Sequence, residues 1–195
     1  MKKIQDHYFK EARKQGYVAR SAFKLEEMDR KFRLLRRGQH VIDLGCAPGS
    51  WLQYAAKKVL PEGSLTGVDL KQVKIHFPES VRIFQSDIYM LEESILASSR
   101  FDLVLSDMAP DTTGIPSVDS QRSYDLNSQA LSFAQRHLKP GGTLVLKAFQ
   151  GEPLNRLKSE IRPCFESFKL FKPKSSRSES CLLYTSPSPR DIVGS

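Results

Sequence analysis

Three carboxylates fall where apolar segments of the chain end. Asp69 ends one such segment, Asp87 follows the next, and Asp107 ends another. If the segments are parallel strands, their carboxyl ends open into one crevice, and the three side chains surround a single ligand. Asp69 could then accept from ribose hydroxyls, Asp87 from an adenine amino group, and Asp107 from an amino-acid ammonium. An isolated Asp more often caps a helix, but three in register favour a ligand site.

Two lysines lie among apolar neighbours. Lys147 interrupts the apolar run 144–149, and Lys24 lies in the segment 21–25. A lysine in a buried strand either extends its ammonium to solvent or is placed in a site, and the sequence leaves both interpretations of Lys147 open. A lysine on a helix face, such as Lys24, is usually solvated.

A glycine-rich turn offers room for a ligand beside these side chains. The segment 40–51 is an apolar strand, a turn and the start of an amphipathic helix, and glycines at such a turn let the backbone approach a ligand. The turn has the pattern Gly-x-x-Pro-Gly, from Gly45 to Gly49, and not Gly-x-Gly-x-x-Gly. Together with Asp69 at the end of the next strand, this pattern favours S-adenosylmethionine over a dinucleotide. A strand-to-helix turn without any ligand is the alternative.

Strand and helix patterns alternate along the chain. The predicted strands are 40–45, 64–70, 81–86, 101–106, 143–149 and 166–171. The predicted helices are 50–59, about 90–98, 118–138 and 153–162, preceded by one or two N-terminal helices with a break at Gly16. This alternation indicates an α/β fold with a doubly wound, mostly parallel sheet.

Charge and length narrow the class of protein. A chain of 195 residues suits one α/β domain. The formal net charge is +8 and the pI is about 9.4, with basic residues concentrated before the first strand and around 169–177. Two basic flanks around a neutral core favour a nucleic-acid partner, and a merely solvated basic face is the alternative.

Apolar runs and cysteines argue against other settings. No apolar run reaches the ~20 residues of a membrane span, so we expect a cytoplasmic protein without membrane association. The cysteines, Cys46, Cys164 and Cys181, are scattered and include no C-x-x-C pair. This spacing predicts free thiols and no metal site.

Several motifs, in order, resemble the FtsJ/RrmJ family of ribose 2′-O-methyltransferases. They lie at 21–25, 43–51, 106–110 with Gly114 following, 145–151 and 172–177. The resemblance reaches to about Ser180. It implies a Rossmann-like S-adenosylmethionine-dependent methyltransferase fold and methylation of RNA, with a uridine of large-subunit (23S) ribosomal RNA as the expected target. The residues expected to contact the cofactor are Asp43, Gly45, Gly49, Trp51, Asp69, Asp87 and Asp107.

The family's catalytic pattern is Lys-Asp-Lys-Glu, and the resemblance places its first three members at Lys24, Asp107 and Lys147. Lys147 would be the general base, Asp107 would orient it and the methionine end of the cofactor, and Lys24 would steer the ribose or its phosphate. The fourth member has no counterpart, because Leu182 stands where the family has Glu. Glu179 matches an earlier Glu of the motif, which is not catalytic.

Residues 181–195 depart from the family. The segment 181–191 can be back-translated to a transposon-end adapter used in sequencing libraries. We therefore expect a single methyltransferase domain over 1–180, with a basic helical segment 1–39 and a core 40–180, followed by a non-native tail. The family's last strand would then be missing or replaced, and the sheet edge would be poorly paired unless the tail fills the gap.

Other functions remain open from the sequence. A nicotinamide-dependent oxidoreductase would share the fold and Asp69, but not the glycine pattern or Lys147. A catalytically inactive RNA-binding or ribosome-assembly module would need only the basic flanks. Within the enzyme class, transfer RNA and the mRNA cap are alternative substrates. For the favoured enzyme we expect the large ribosomal subunit as partner, no metal, and a monomer.

Overall fold

The computed structural model describes residues 2–91, 100–176 and 180–185. The strands are β1 His40–Leu44, β2 Ser64–Asp69, β3 Val81–Gln85, β4 Phe101–Ser106, β5 Leu138–Phe149, β6 Phe168–Phe171 and β7 Ser180–Thr185. The helices described are α1 Lys2–Lys14, α2 Ala22–Phe32, α3 Ser50–Val59, α4 Pro116–His137 and α5 Glu152–Ile161. Within these ranges, no helix combines the length and the apolar composition needed to cross a bilayer.

The predicted elements agree with the structure within a few residues. All six predicted strands are present, although β5 begins at Leu138 instead of residue 143. The break between α1 and α2 contains Gly16, whose φ of +76° is readily adopted by glycine. The helix predicted at about 90–98 lies mostly outside the described residues, and Ile88–Met90 forms a short 3₁₀ turn.

One sheet of seven strands organises the molecule, in the order β3-β2-β1-β4-β5-β7-β6. Strand β1 pairs in parallel with both β2 and β4, and the chain progresses in opposite directions across the sheet from this point. In doubly wound sheets, this reversal opens a crevice at the carboxyl ends of the strands. The predicted α/β architecture is therefore confirmed.

Side-chain alternation along β5 assigns its residues to the two faces of the sheet. Leu144 and Leu146 belong to the apolar cluster that includes residues of α4 and α5. Val145 belongs to the opposite cluster, which includes residues of α2 and α3. Because strand side chains alternate with a period of two, Lys147 projects to the α2 and α3 side.

The last strand is not missing. β7 lies between β5 and β6 and is antiparallel to both. The backbone N–H of Leu144 donates to Thr185 Oγ1 at 2.9 Å, and Leu182 and Leu183 are fully buried. Residues 180–185 thus fill the place between β5 and β6, and the poorly paired edge that we expected without the family's native strand does not arise.

Helix α2 connects the N-terminal segment to the far side of the sheet. At its start, the carbonyl of Ser21 accepts the indole N–H of Trp51 on α3 at 2.8 Å. At its end, Phe32 stacks on Tyr184 of β7 with ring centroids 4.8 Å apart, and meets Phe171 of β6 edge-on at 5.7 Å. Because both ends of α2 are held by these contacts, the helix places Lys24 on the sheet face that it covers, near the carboxyl ends of the strands.

Candidate active site

The turn after β1 is built around glycines in the left-handed region. Gly45 has a φ of +76°, and a Cβ added there would lie 2.6 Å from Met108 Cγ. Gly49 has a φ of +110° and precedes α3, where a Cβ would lie 2.8 Å from Ile75 Cδ1. Glycine at 45 therefore permits both the turn and the close approach of the loop after β4.

Asp69 ties this turn to the neighbouring strand. One carboxylate oxygen accepts the backbone N–H of Ala47 at 2.8 Å, and the other accepts that of Lys71 at 2.7 Å. The carboxylate is partly exposed and lines the adjoining cavity. It keeps lone pairs for further donors, such as ribose hydroxyls.

A cavity of about 700 Å³ lies along the carboxyl ends of β1, β2, β3 and β4. Its walls include Gly45, Ala47, Asp69, Asp87, Asp107 and Met108. The volume is within the range of small-molecule sites. The structure therefore brings together the three strand-end carboxylates that the sequence predicted would share one crevice.

Residues of α4 that the sequence analysis did not single out also line this cavity. They are Arg122, Asp125, Leu126 and Gln129. Arg122 additionally donates to the carbonyl of Asp111 at 3.2 Å. Their spacing of three, one and three positions is typical of one helix face, so a polar stripe at helical spacing was the signal that could have identified them.

Asp43 is buried one residue before the end of β1. Neither carboxylate oxygen has a hydrogen-bond partner among the described residues. Burial, then the negative charges of Asp107 and Asp69, raise the pKa of Asp43 well above its usual value, and Lys147 lowers it by less. An unpartnered buried carboxyl costs free energy, and a cationic ligand group can offset this cost.

A cluster of two lysines and one carboxylate meets the cavity through Asp107, which lines it. Lys147 Nζ is 2.8 Å from Asp107 Oδ1 and donates to the carbonyl of Asp107 at 2.6 Å. Lys24 Nζ is 3.7 Å from the same carboxylate oxygen. Both lysine side chains are largely buried, at 9% and 13% exposure. Lys147 is therefore buried in an ion pair with Asp107 and does not extend to solvent, and Lys24 is not a solvated helix lysine; their roles in a site stay predictions.

The two lysines of this cluster stabilise the charged form of Asp107. Burial raises the pKa of Asp107, but Lys24 and Lys147 lower it by more, and the net shift is downward. Asp107 is therefore a carboxylate held between two ammonium groups. It fixes the direction of the Lys147 Nζ atom through both its side chain and its backbone carbonyl.

The loop that follows Asp107 is held by a carboxylate of α4. Asp119 accepts the backbone N–H and the hydroxyl of Thr113 at 2.7 and 2.8 Å, and the backbone N–H of Gly114 at 3.1 Å. This loop includes Met108, which covers Gly45. Asp119 thus helps to fix the cavity wall without lining the cavity.

Three residues expected at the cofactor, Asp43, Gly49 and Trp51, are not part of the cavity wall. Trp51 is 2% exposed in the cluster between α2 and α3, and its indole N–H donates to the carbonyl of Ser21. Gly49 packs against Ile75 and shapes the turn before α3. Contact of these residues with the cofactor stays a prediction.

The position of the fourth catalytic residue is apolar. Leu182 is the cross-strand partner of Lys147 and is fully buried. Glu179 lies outside the described residues. In the part of the chain that the structure describes, no group of three or more His, Cys, Asp or Glu side chains is arranged to hold a metal ion.

Several known proteins are similar to this chain in sequence and in fold. The chain matches the family described as FtsJ-like methyltransferase over residues 17–185. The protein named Ribosomal RNA large subunit methyltransferase E of Desulfatibacillum aliphaticivorans is 45% identical over 182 residues, which are 92% of this chain and 88% of that protein. The protein of the same name from Nitratidesulfovibrio vulgaris is 42% identical over 201 aligned positions, which cover 98% of this chain and 100% of that protein.

Among solved structures, a protein of Plasmodium falciparum described as a candidate ribosomal RNA methyltransferase is similar in fold. The TM-score is 0.79 at 27% sequence identity, over 88% of this chain and 98% of that one. The fold and the site define an α/β methyltransferase. The chain belongs to the FtsJ-like methyltransferase family, whose members take the methyl group from S-adenosylmethionine.

The residues present fit that cofactor. The cavity has the size of a nucleoside-bearing ligand, Asp69 offers acceptors at its wall, and the two unpartnered oxygens of Asp43 lie near Asp69 and Asp107 in a region that would favour a cation. Gly45 keeps the wall free of a side chain at the turn.

Proposed function

We propose that this protein transfers a methyl group from S-adenosylmethionine to a ribose 2′-hydroxyl, most specifically of a uridine in large-subunit ribosomal RNA. The observation that carries the proposal is the cluster of Lys24, Asp107 and Lys147, in which Asp107 lines the cavity and pairs with both lysines. The choice of ribosomal RNA is supported by the names of the curated relatives. The basic surface is consistent with RNA, because lysine and arginine supply most of the affinity for phosphates.

The proposed reaction is an in-line displacement. The cofactor supplies an electrophilic methyl carbon. With the cofactor bound, the 2′-oxygen would take this methyl group and the electron pair of the broken carbon–sulfur bond would stay on sulfur. The hydroxyl proton passes to Lys147 Nζ. A positioned base of this kind typically contributes ~10²–10⁴ in rate, and alignment of the reacting atoms contributes more.

Each residue of the cluster has a separate proposed role. We assign to Lys147 Nζ the role of proton acceptor, and to Lys24 the role of steering the ribose or its phosphate. Asp107 holds Lys147 Nζ at a fixed position, through the contacts at 2.8 and 2.6 Å described above.

The cofactor-binding residues follow the order of the strands. We assign Asp69 to the ribose hydroxyls, Asp87 to the adenine amino group, and Asp107 together with Asp43 to the ammonium of the methionine part. Gly45 allows the ligand to approach the backbone, and Gly49 shapes the start of α3. These assignments are supported by the cavity lining and by the unpartnered oxygens of Asp43.

Transfer of a labelled methyl group tests the proposal. The acceptors are unmethylated large ribosomal subunits, naked large-subunit RNA, transfer RNA and capped mRNA. We expect transfer to one of the first two, and its loss, by about 10²-fold or more, in Lys147→Ala. Lys139→Ala is the matched control, because Lys139 belongs to the same strand and pairs with Asp102 at 2.8 Å, remote from the cavity lining. Methylation of transfer RNA or cap alone would overturn the assignment of the substrate.

The named relatives do not favour the alternative of an inactive module, but Leu182 gives a reason to test it. With an apolar side chain opposite Lys147, the protein would bind cofactor and RNA without turnover, as an RNA-binding or ribosome-assembly module. Cofactor binding is expected for both candidates, so methyl transfer is the measurement that separates them. Comparison of this chain with a variant carrying Leu182→Glu distinguishes a complete site from an incomplete one.

The organisation of the chain is proposed on the same grounds. We assign residues 1–180 to one native methyltransferase domain and residues 181–195 to an adapter-derived tail, although the family match extends into the tail as far as 185. Sequencing of the source locus tests this, and adapter-like codons in clean genomic DNA would contradict it. We further propose a monomer that acts on large subunits in the cytoplasm, which sedimentation with and without subunits would examine.

A further inference from the structure

Glu27 on α2 joins two parts of the chain that are far apart in sequence. One carboxylate oxygen accepts the backbone N–H of Lys174 at 2.7 Å, and the other accepts that of Ser175 at 3.1 Å. A charged acceptor that receives two consecutive amides makes hydrogen bonds of the stronger class. Helix α2 therefore fixes the segment 172–176, which follows β6.

This segment lies at the edge of the sheet that holds the reactive cluster. Strands β5 and β6 are both antiparallel to β7, so they run in the same direction. The chain leaves β6 after Phe171, which pairs with Leu182 of β7, the same residue that pairs with Lys147 of β5. Lys24 precedes Glu27 by three positions on α2, and residues at this spacing share a helix face. One helix thus positions both a lysine of the cluster and the segment 172–176.

The segment presents lysines outward. Pro173 and Ser175 are buried, whereas Lys172 and Lys174 are exposed. The Lys172 ammonium donates to the backbone carbonyl of Ser180, so the segment is tied to the first residue of β7. Lys31 of α2 lies with Nζ 4.9 Å from the Phe171 ring centroid, beside the same segment. Phosphate contacts set the register of a nucleic acid on a protein. Lysines held beside the catalytic cluster are therefore suited to bind the phosphates that flank the target ribose.

We propose that Glu27 is a positioning residue, which holds the segment 172–176 so that Lys174 binds an RNA phosphate next to the target ribose. This inference rests on the proposed RNA substrate. The negative charge of Glu27 would by itself repel RNA. Its contribution is therefore geometric, and neutralising it weakens RNA binding although the net positive charge of the protein increases.

Glu27→Gln and Glu26→Gln form a matched pair for this test. Both remove one negative charge from adjacent positions of α2, but Glu26 pairs with Arg30 on its own helix. With full-length protein, saturating S-adenosylmethionine and a large-subunit RNA transcript, we expect Glu27→Gln to raise the Kd for RNA roughly three- to tenfold. The slope of log affinity against log salt should lose about one unit, as for one phosphate contact. Glu26→Gln should bind RNA as tightly as wild type or more tightly.

Lys174→Ala tests whether Glu27 acts through that lysine. We expect a similar increase in the Kd for RNA, and no further increase in the double variant, because both changes remove the same contact. The Kd for S-adenosylmethionine and the Tm should stay close to wild type in all of these variants. Additive effects of the two changes would overturn the proposal.

Limited proteolysis reports on the segment itself. Trypsin does not cleave the Lys172–Pro173 bond, but it can cleave Lys174–Ser175, whose amide N–H is held by Glu27. We expect faster cleavage at this bond in Glu27→Gln and not in Glu26→Gln. Faster cleavage with unchanged RNA affinity would overturn the proposal, because the contact would then be structural only. Unchanged cleavage, or no RNA binding by wild type, would overturn it as well. Intact Glu27-dependent RNA binding without methyl transfer would instead count against the proposed function.

Discussion

Leu182 and Lys147 are direct partners in the ladder between β5 and β7. Both side chains project to the face covered by α2, where Leu182 is fully buried and the Lys147 side chain is 9% exposed. Asp107 approaches Lys147 from the β4 side, at 2.8 Å, whereas on the β7 side the neighbour is a hydrocarbon. The cluster therefore has two cations and one anion, with the apolar position adjacent to the proposed base.

Leu182→Glu should increase methyl transfer. Directly opposed residues of an antiparallel pair have Cβ atoms about 4.5–5.5 Å apart, so a carboxylate at 182 can reach Lys147 or the substrate hydroxyl. It would also balance the charge of the cluster. We expect an increase in kcat on the order of tenfold or more, equivalent to at least about 1.4 kcal/mol of transition-state stabilisation. Leu182→Gln controls for polarity, and equal kcat values for Leu182→Glu and the original chain would contradict this expectation.

Gly45→Ala should weaken cofactor binding and lower stability. Its φ is +76°, and its Cβ would lie 2.6 Å from Met108 Cγ. Gly141→Ala is the matched control, because Gly141 has a φ of +79° and nothing within 4 Å of an added Cβ. Backbone strain of order 1–3 kcal/mol is common to both, and only Gly45→Ala adds displacement of Met108. Equal Tm values and equal Kd values for S-adenosylmethionine in the two variants would show that Met108 does not matter.

Asp43→Asn should stabilise the protein at neutral pH while weakening the cofactor. Because the pKa of Asp43 is raised in the folded state, that state holds a proton that the unfolded chain releases above its own pKa of about 3.9. Wild-type stability therefore falls as pH rises, and Asn removes this loss. The Tm of Asp43→Asn should exceed that of wild type at pH 8, with the gap narrowing toward pH 4. A gap independent of pH would refute the linkage.

Asp102→Asn is the control of opposite sign for that experiment. Burial raises the pKa of Asp102, but hydrogen bonds from His40 and Lys139 lower it by more. A lowered pKa contributes stability that is present above the unfolded value and is lost as pH falls through the folded value. This variant should therefore be less stable than wild type at pH 8, with the difference disappearing in acid.

A chain that ends at Ser180 should lose most of its stability. It lacks the segment 181–185, in which Leu182 and Leu183 are fully buried. Removal of a buried leucine side chain costs about 2–5 kcal/mol, and whole domains have only about 5–15 kcal/mol of stability. We expect this truncation to unfold at low urea, and a chain that ends at Thr185 to unfold near the midpoint of the full chain. Coincident urea midpoints for all three would exclude a structural role for β7.

Local sequence patterns predicted most of the architecture. The limits of α3, Ser50–Val59, coincide with the predicted helix because an apolar face repeats at helical spacing after Gly49. The carboxylates at 69, 87 and 107 share one cavity because parallel strands place their ends at one edge. Lys147 was also identified as a candidate, since a charged residue in an apolar strand is unusual.

Other features depend on contacts that no local pattern records. The contact of Glu27 with Ser175 spans 148 positions of the sequence. Strand β7 was not predicted, because residues 181–195 were assigned to a non-native tail. The apolar residues around Leu182 nevertheless form a strand between β5 and β6. Polar residues at helical spacing mark one face of α4, but the position of that face at the cavity wall follows from how the helix packs beside the sheet.

The residue at position 182 meets the structural requirements of the sheet but lacks the carboxylate of the family's catalytic pattern. A leucine there satisfies the ladder and the core, so expression, solubility and melting temperature would all report a sound protein. Such a chain would occupy the substrate without releasing product at the normal rate. In a mixture with a chain that carries the family's Glu at this position, the expected consequence is competition, in which a well-folded but slow copy delays the modification of the RNA that both proteins bind.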